Sequence, residues 1–257
     1  MTVHVSVADG VAEIVLDEPG RLNALDADGL RELGAAYADA ERAGVRAVVL
    51  RGEGRAFCAG RDVSHVDPVT DDAAAYLDDL LVPLMHTISE FPAPTFAVAT
   101  GACLGVGLGL LIATDIVYVG ESARVGSPFA NLGAALDSGG HALFFERLGA
   151  HRAMDLIVTG DLMTGTEAVA AGLFSRVLPD HEVLEFTRER ARRAAAGPTA
   201  AFVSSKRLIG RLRDARTGFW ESVAAESAVQ TELSQTADYR EGFAAFQEKR
   251  RPVFRGE

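Results

Sequence analysis

Three stretches of this chain carry residue types suited to chemistry. The first reads Arg55-Ala56-Phe57-Cys58-Ala59-Gly60-Arg61-Asp62-Val63. Small residues after a strand let a ligand approach the backbone closely, although a tight connection uses the same residues. The second reads Gly101-Ala102-Cys103-Leu104-Gly105-Val106-Gly107-Leu108-Gly109 and places its glycines just before a helix. Free N–H groups and the positive end of the helix dipole face whatever sits there, a ligand or a closely packed strand. The glycine spacing fits neither the dinucleotide fingerprint nor the phosphate loop of nucleotidases. The third, Asn131 to Gly140, carries one carboxylate, Asp137, in an Asp-Ser-Gly-Gly turn. An aspartate in such a turn either caps the local backbone or exchanges protons with a bound substrate. His4, His65, His86, His141, His151 and His181 form no i,i+3 or i,i+4 pair, so no metal site is indicated. Cys58 and Cys103 suit packing better than nucleophilic attack.

Elements must hold these stretches in place. Val3–Ser6 and Ala12–Leu16 read as short strands around an Asp9-Gly10 turn. Asp26 is a good N-cap for a helix over residues 27–43, with Leu30, Leu33, Ala36 and Tyr37 on one face. Ala47–Arg51 and Phe96–Ala99 are apolar strands that lead into the first and second stretches. The pattern predicts one helix over residues 71–91, ending before Pro92, and a small-residue helix over 105–113. Strand and helix then alternate to about Pro179, an α/β pattern with strands covered on both faces. Beyond it, helices are predicted over 181–195, 198–212, 218–235 and 238–249, with Gly197-Pro198 ending one and opening the next.

Composition narrows the function classes. At 257 residues, one main domain plus a small appendage is the natural expectation. With 48% hydrophobic residues, a large core can form. The net charge of −11 argues against general binding to nucleic acid or anionic membranes. Two cysteines make no disulfide framework and fit a reducing cytoplasm. Met1 to Val15 carries Asp9 and Glu13 and shows no signal-peptide pattern. The uncharged stretch from Thr95 to Thr114 is long enough to imitate a membrane span. Its glycines and lack of basic flanks read instead as a strand, a turn and a buried helix.

Taken in order and at this spacing, the two glycine loops resemble the signature loops of the enoyl-CoA hydratase/isomerase (crotonase) family. Arg21-Leu22-Asn23-Ala24-Leu25 resembles the family's N-terminal turn that contacts coenzyme A. Phe91-Pro92-Ala93-Pro94 resembles its lead-in to the second loop. Ala168 to Pro179 resembles the segment before the C-terminal helices. The likeness runs from about Val3 to Phe254.

The resemblance implies an α/β fold, the crotonase (ClpP-like) spiral of ββα units. A core over residues 1–195 would precede a C-terminal helical region, 196–257, used in trimer contacts. The protein would form a homotrimer or a dimer of trimers. Its substrate would be an acyl-CoA thioester, with no permanently bound cofactor and no metal. The backbone N–H groups of Arg61 and Val106 would bind the thioester oxygen as charge develops, each worth about 3 kcal/mol. Valine stands at 106 where the family usually has glycine. Ala59, Gly60, Gly105 and Phe129 would line the substrate. Arg21 and Lys206 would face the CoA phosphates. Asp62 follows the first loop and would stabilise its turn.

Two departures bear on the reaction. A hydratase carries glutamates where this chain has Gly109 and Phe129, and neither residue can exchange protons. The segment around Asp137 instead resembles that of an aspartate-dependent branch, which includes the ring-opening isomerase of phenylacetate degradation. Asp137 would remove a C2 proton and return one at C4, turning a 3-enoyl-CoA into a 2-enoyl-CoA. A second reading takes the 4-chlorobenzoyl-CoA dehalogenase branch, or a thioester hydrolase, as the pattern. Asp137 would then be a nucleophile and His86 would activate water. A third reading is a non-catalytic CoA-binding protein.

Overall fold

The computed structural model describes residues 2–64, 66, 72–132, 134–215 and 236–257. A β-hairpin opens the chain: β1 (Thr2–Ala8) pairs antiparallel with β2 (Val11–Asp17) around the Asp9-Gly10 turn. Helix α1 (Ala27–Arg42) comes next, capped by the Asp26 carboxylate, which accepts the Gly29 N–H at 2.8 Å. It returns the chain to β3 (Ala47–Gly52), parallel to β2. A π-helical stretch, Ala75–Leu81, runs directly into α2 (Val82–Glu90), which leads to β4 (Thr95–Ala99), parallel to β3.

The apolar strands are sandwiched as their composition requires. Val48, Leu50 and Ala97 face the main core with Leu33, Tyr37 and Ile88. Ala47, Val49, Phe96 and Val98 face the other way. There they meet Val183, Ala191 and Ala195 of α7 (Asp180–Ala195). Strands β6 (Ile116–Gly120) and β9 (Arg176–Leu178) complete a six-stranded sheet of order β1-β2-β3-β4-β6-β9.

A second, three-stranded sheet is built from β5 (Ala102–Leu104), β7 (Arg124–Gly126) and β8 (Met163–Thr164). The chain leaves the large sheet for the small one at Gly101, whose φ is +52°. A Cβ there would lie 1.9 Å from the Arg55 carbonyl oxygen, so only glycine fits. Helix α3 (Val106–Ala113) then runs through the core, with every residue but Ile112 buried. The uncharged stretch 95–114 is thus a strand, a turn, a second strand and a central helix. Among the described residues no helix is long and apolar enough to cross a membrane.

A short 3-10 turn, Phe129–Leu132, precedes α4 (Gly140–Leu148) and α5 (Ala150–Thr159). Helix α6 (Gly165–Ala170) starts on a capping box between Thr164 and Glu167. After α7 and Gly197-Pro198 come α8 (Thr199–Ala215) and α9 (Ala237–Gln247). The helix expected over 218–235 lies outside the described residues. The C-terminal part is fastened to the body through Arg46, whose guanidinium donates to Thr199 Oγ1, the Gly197 carbonyl and the Phe254 carbonyl.

Candidate active site

The two glycine loops lie side by side. The Cys58 N–H donates to the Ala102 carbonyl at 2.9 Å, and the Leu104 N–H to the Cys58 carbonyl at 3.0 Å. On its far side the first loop pairs with the N-terminal turn. The Leu25 N–H donates to the Gly60 carbonyl at 2.8 Å, and the Asp62 N–H to the Leu25 carbonyl at 2.9 Å. These bonds flank Arg61 in the manner of a parallel pair. Because the Gly60–Arg61 peptide is trans, the Arg61 N–H is directed away from Leu25.

Gly60 lies against the second loop. A Cβ on it would sit 3.0 Å from the Leu104 carbonyl oxygen and 3.7 Å from the Val106 nitrogen. Val106 is the first residue of α3, so its N–H has no acceptor within the helix. Gly105 spends its own N–H on the Gly126 carbonyl and the Ser127 hydroxyl, each at 3.1 Å. The Phe129 ring covers Gly105, with Cζ 3.1 Å from where a Cβ would be. Ala59, Gly60, Arg61, Gly105, Val106 and Phe129 therefore share one small region. Cys58 and Cys103 are cross-strand neighbours beneath it, both fully buried. Burial pushes the Cys58 thiol up to about 12 and the Cys103 thiol up as well, so neither is a thiolate nucleophile.

The turn that carries Asp137 meets the same helix through Ser138. The half-buried Asp137 carboxylate accepts the Ser138 hydroxyl at 2.6 Å, and the Asp137 carbonyl accepts the Gly140 N–H at 2.9 Å. Ser138 has φ +54°, and its side chain lies directly on Gly109 of α3. A Cβ at position 109 would be 2.5 Å from the Ser138 Cβ. The Asp137-Ser138 turn thus fills the space that a side chain at 109 would need. Among the described residues, no cluster of His, Cys, Asp and Glu is arranged to hold a metal.

The expected cations are placed differently from one another. Arg21 lies beside the first loop, half-exposed, and its guanidinium donates to the Asp62 carboxylate at 2.5 Å. Asp62 also accepts the N–H and hydroxyl of Ser64, and these bonds, with Arg21, hold its carboxyl down at about 2. Asp62 is therefore a brace between the loop and Arg21. Lys206 is turned into the chain. Its side chain is only 10% exposed, and its ammonium donates to Asp115 at 2.9 Å and to the Ile88 carbonyl at 3.2 Å. Asp115 lies just past the C-terminal end of α3, about 12 Å of helix from Val106. Within this chain Lys206 ties α8 to α2 and to the end of α3. His86 lies on the exposed side of α2 and bonds to Glu90 at 3.2 Å.

Sequence reasoning missed two supporting residues. Asn23, fully buried at φ +57°, accepts the Glu18 N–H and donates to the Glu53 and Ala56 carbonyls, fixing the N-terminal turn to the first loop. An asparagine inside a turn was the available signal. Tyr76 donates its hydroxyl to the Leu25 carbonyl at 2.9 Å, and the Arg61 guanidinium lies 4.2 Å over its ring centre. It also lines a cavity of about 260 Å³ with Ala27, Arg31, Arg61, Asp72 and Leu80.

Residues 6–257 match the family model described as "Enoyl-CoA hydratase/isomerase". This chain belongs to the enoyl-CoA hydratase/isomerase family. It is 35% identical over 255 residues to a Rhodobacter capsulatus protein named "Probable enoyl-CoA hydratase", covering 99% of this chain and 98% of that protein. It is 31% identical over 256 residues to the 1,2-epoxyphenylacetyl-CoA isomerase of Escherichia coli K12, covering 97% of each. The crystal structure of an enoyl-CoA hydratase from Bacillus anthracis superposes with a TM-score of 0.90 at 28% identity, covering 100% of both chains. The two sheets and central helix are therefore the crotonase fold. Enoyl-CoA hydratase/isomerase enzymes take CoA thioesters as substrates.

Proposed function

We propose that this family member is an isomerase that moves the double bond of a 3-enoyl-CoA into conjugation, with Asp137 as its acid and base. The observation that carries this reading is the contact between Ser138 and Gly109. The turn bearing Asp137 stands where a hydratase would project a carboxylate from α3, and Phe129 supplies none at the second position.

The thioester oxygen lies between the N–H groups of Arg61 and Val106, which stabilise the negative charge of an enolate. Asp137 takes the C2 proton, and the electron pair of the C2–H bond enters the conjugated dienolate. The carboxyl group then returns its proton at C4, leaving the double bond between C2 and C3. Nothing is oxidised or reduced, and no water is consumed. Ser138 donates to the carboxylate and fixes its orientation between the two transfers.

The dehalogenase reading loses support, because His86 is engaged with Glu90 on the outer face of α2. The test is turnover of a 3-enoyl-CoA beside hydration of a 2-enoyl-CoA. We expect isomerisation with little hydration, and a fall of about 10²–10⁴-fold in kcat in Asp137→Asn. Hydration as the main activity, or undiminished isomerisation in Asp137→Asn, would overturn the reading. Tight CoA binding without any turnover would favour a non-catalytic binder.

A further inference from the structure

Tyr76 takes no part in the proton transfers assigned to Asp137, yet it is buried, polar and aimed at the backbone framing the first loop. We propose that Tyr76 is a positioning residue that sets the direction of the Arg61 N–H, acting through the Leu25 carbonyl. The inference rests on the Arg61 N–H being a donor to the thioester oxygen.

The Leu25 peptide groups grip the loop on both sides of Arg61. The Leu25 N–H holds the Gly60 carbonyl, and the Leu25 carbonyl holds the Asp62 N–H. The same carbonyl accepts the Tyr76 hydroxyl, so both of its lone pairs are engaged. A peptide plane clamped this way cannot rotate without breaking a buried bond. That clamp fixes the Arg61–Asp62 peptide through the Asp62 N–H, while the Leu25 N–H one peptide earlier holds the Gly60 carbonyl, so Tyr76 acts on the direction of the Arg61 N–H from the adjoining peptide. The ring of Tyr76 holds the other end of the same residue, since the Arg61 guanidinium lies above it. One side chain therefore fixes residue 61 by its backbone and by its tip.

Tyr76 reaches this position from a helix wound one residue wide. In the π-helical stretch the Val82 N–H bonds to the Leu77 carbonyl, five residues back. The extra residue turns the preceding side chains relative to α2, and such stretches recur at functional sites. A proton-shuttle role fits poorly. The hydroxyl proton is committed to Leu25, and burial pushes the Tyr76 hydroxyl up, which keeps it a donor.

The test is Tyr76→Phe, which removes one oxygen and keeps the ring under Arg61. The Leu25 carbonyl retains the Asp62 N–H, so no buried polar group is orphaned and the variant folds, as a thermal melt verifies. The readout is the infrared stretch of a ¹³C-labelled thioester carbonyl in a bound 2-enoyl-CoA, taken beside kcat and KM for the isomerisation. Complete loss of an oxyanion donor costs about 10²–10³-fold, so a misaimed one should cost about tenfold in kcat. We expect that loss with KM nearly unchanged and a smaller carbonyl shift than in the wild type. A full shift and wild-type kcat in Tyr76→Phe would overturn the proposal, as would a wild type that shifts no carbonyl. A wild type that shifts the carbonyl without isomerising defeats the Asp137 reading alone, and a reduced shift in Tyr76→Phe then still supports the role of Tyr76.

Discussion

Replacing Gly109 by Glu restores a residue that a hydratase carries, and Ser138 decides whether the carboxylate can be accommodated. The new Cβ would be 2.5 Å from the Ser138 Cβ, a contact between two backbone-attached carbons that no rotamer relieves. Helix α3 cannot slide away, because Gly107 already packs so tightly that a Cβ there would lie 2.4 Å from the Cys58 carbonyl oxygen. We expect Gly109→Glu to gain no hydration and to lose about 1–3 kcal/mol by overpacking, read as a lower urea midpoint. A stable variant that hydrates a 2-enoyl-CoA would show that the Asp137 turn moves aside. That position 109 bears no carboxylate was legible in the sequence. Why it bears none was not, because the reason is a contact with a turn that comes to α3 only on folding. The same limit hid Asn23 and Tyr76, whose roles are bonds to carbonyls remote in sequence.

Helices were easier to read than their faces. The period of apolar residues marked α1 and the Asp26 cap fixed where it begins, while an uncharged run of small residues marked α3. Over residues 71–91 the apolar pattern gave one helix. It contains instead a wide turn that shifts the facing of everything before Val82. No propensity signals that shift, since π-helical bonding is decided by what the side chains reach. Helix α8 carries a related lesson at Lys206, where a basic residue in a surface-like segment turns inward to Asp115 and the end of α2. Asp115 keeps the Thr95 N–H and hydroxyl as partners when the ammonium is removed. Lys206→Met should therefore cost about 1.5–3 kcal/mol, the worth of a hydrogen bond to a charged group. Differential scanning calorimetry reads the loss. Affinity for free CoA, measured by isothermal titration, should stay within about twofold of the wild type. A large loss of CoA affinity with unchanged stability would return Lys206 to the phosphate-binding role.

At the scale of the molecule, the alternation of strand and helix announced an α/β fold. The division into two sheets turns on Gly101, whose backbone angle and crowding send the chain from one to the other. A glycine with small residues after it suggested a loop there, but not that the next strand would pair with β7, which in turn pairs with β8. That crossing also seats Cys103 beside Cys58 in the floor under both loops, and these are the chain's two cysteines. Both thiols are wholly buried and held protonated by that burial. A thiol-reactive dye should be silent toward the native fold and should count about two equivalents per chain once denaturant opens it. The floor of the site thus doubles as an internal gauge of its own integrity. CoA released in any assay can be titrated against a protein that adds no colour of its own, and the first colour from the protein marks the moment the two loops part.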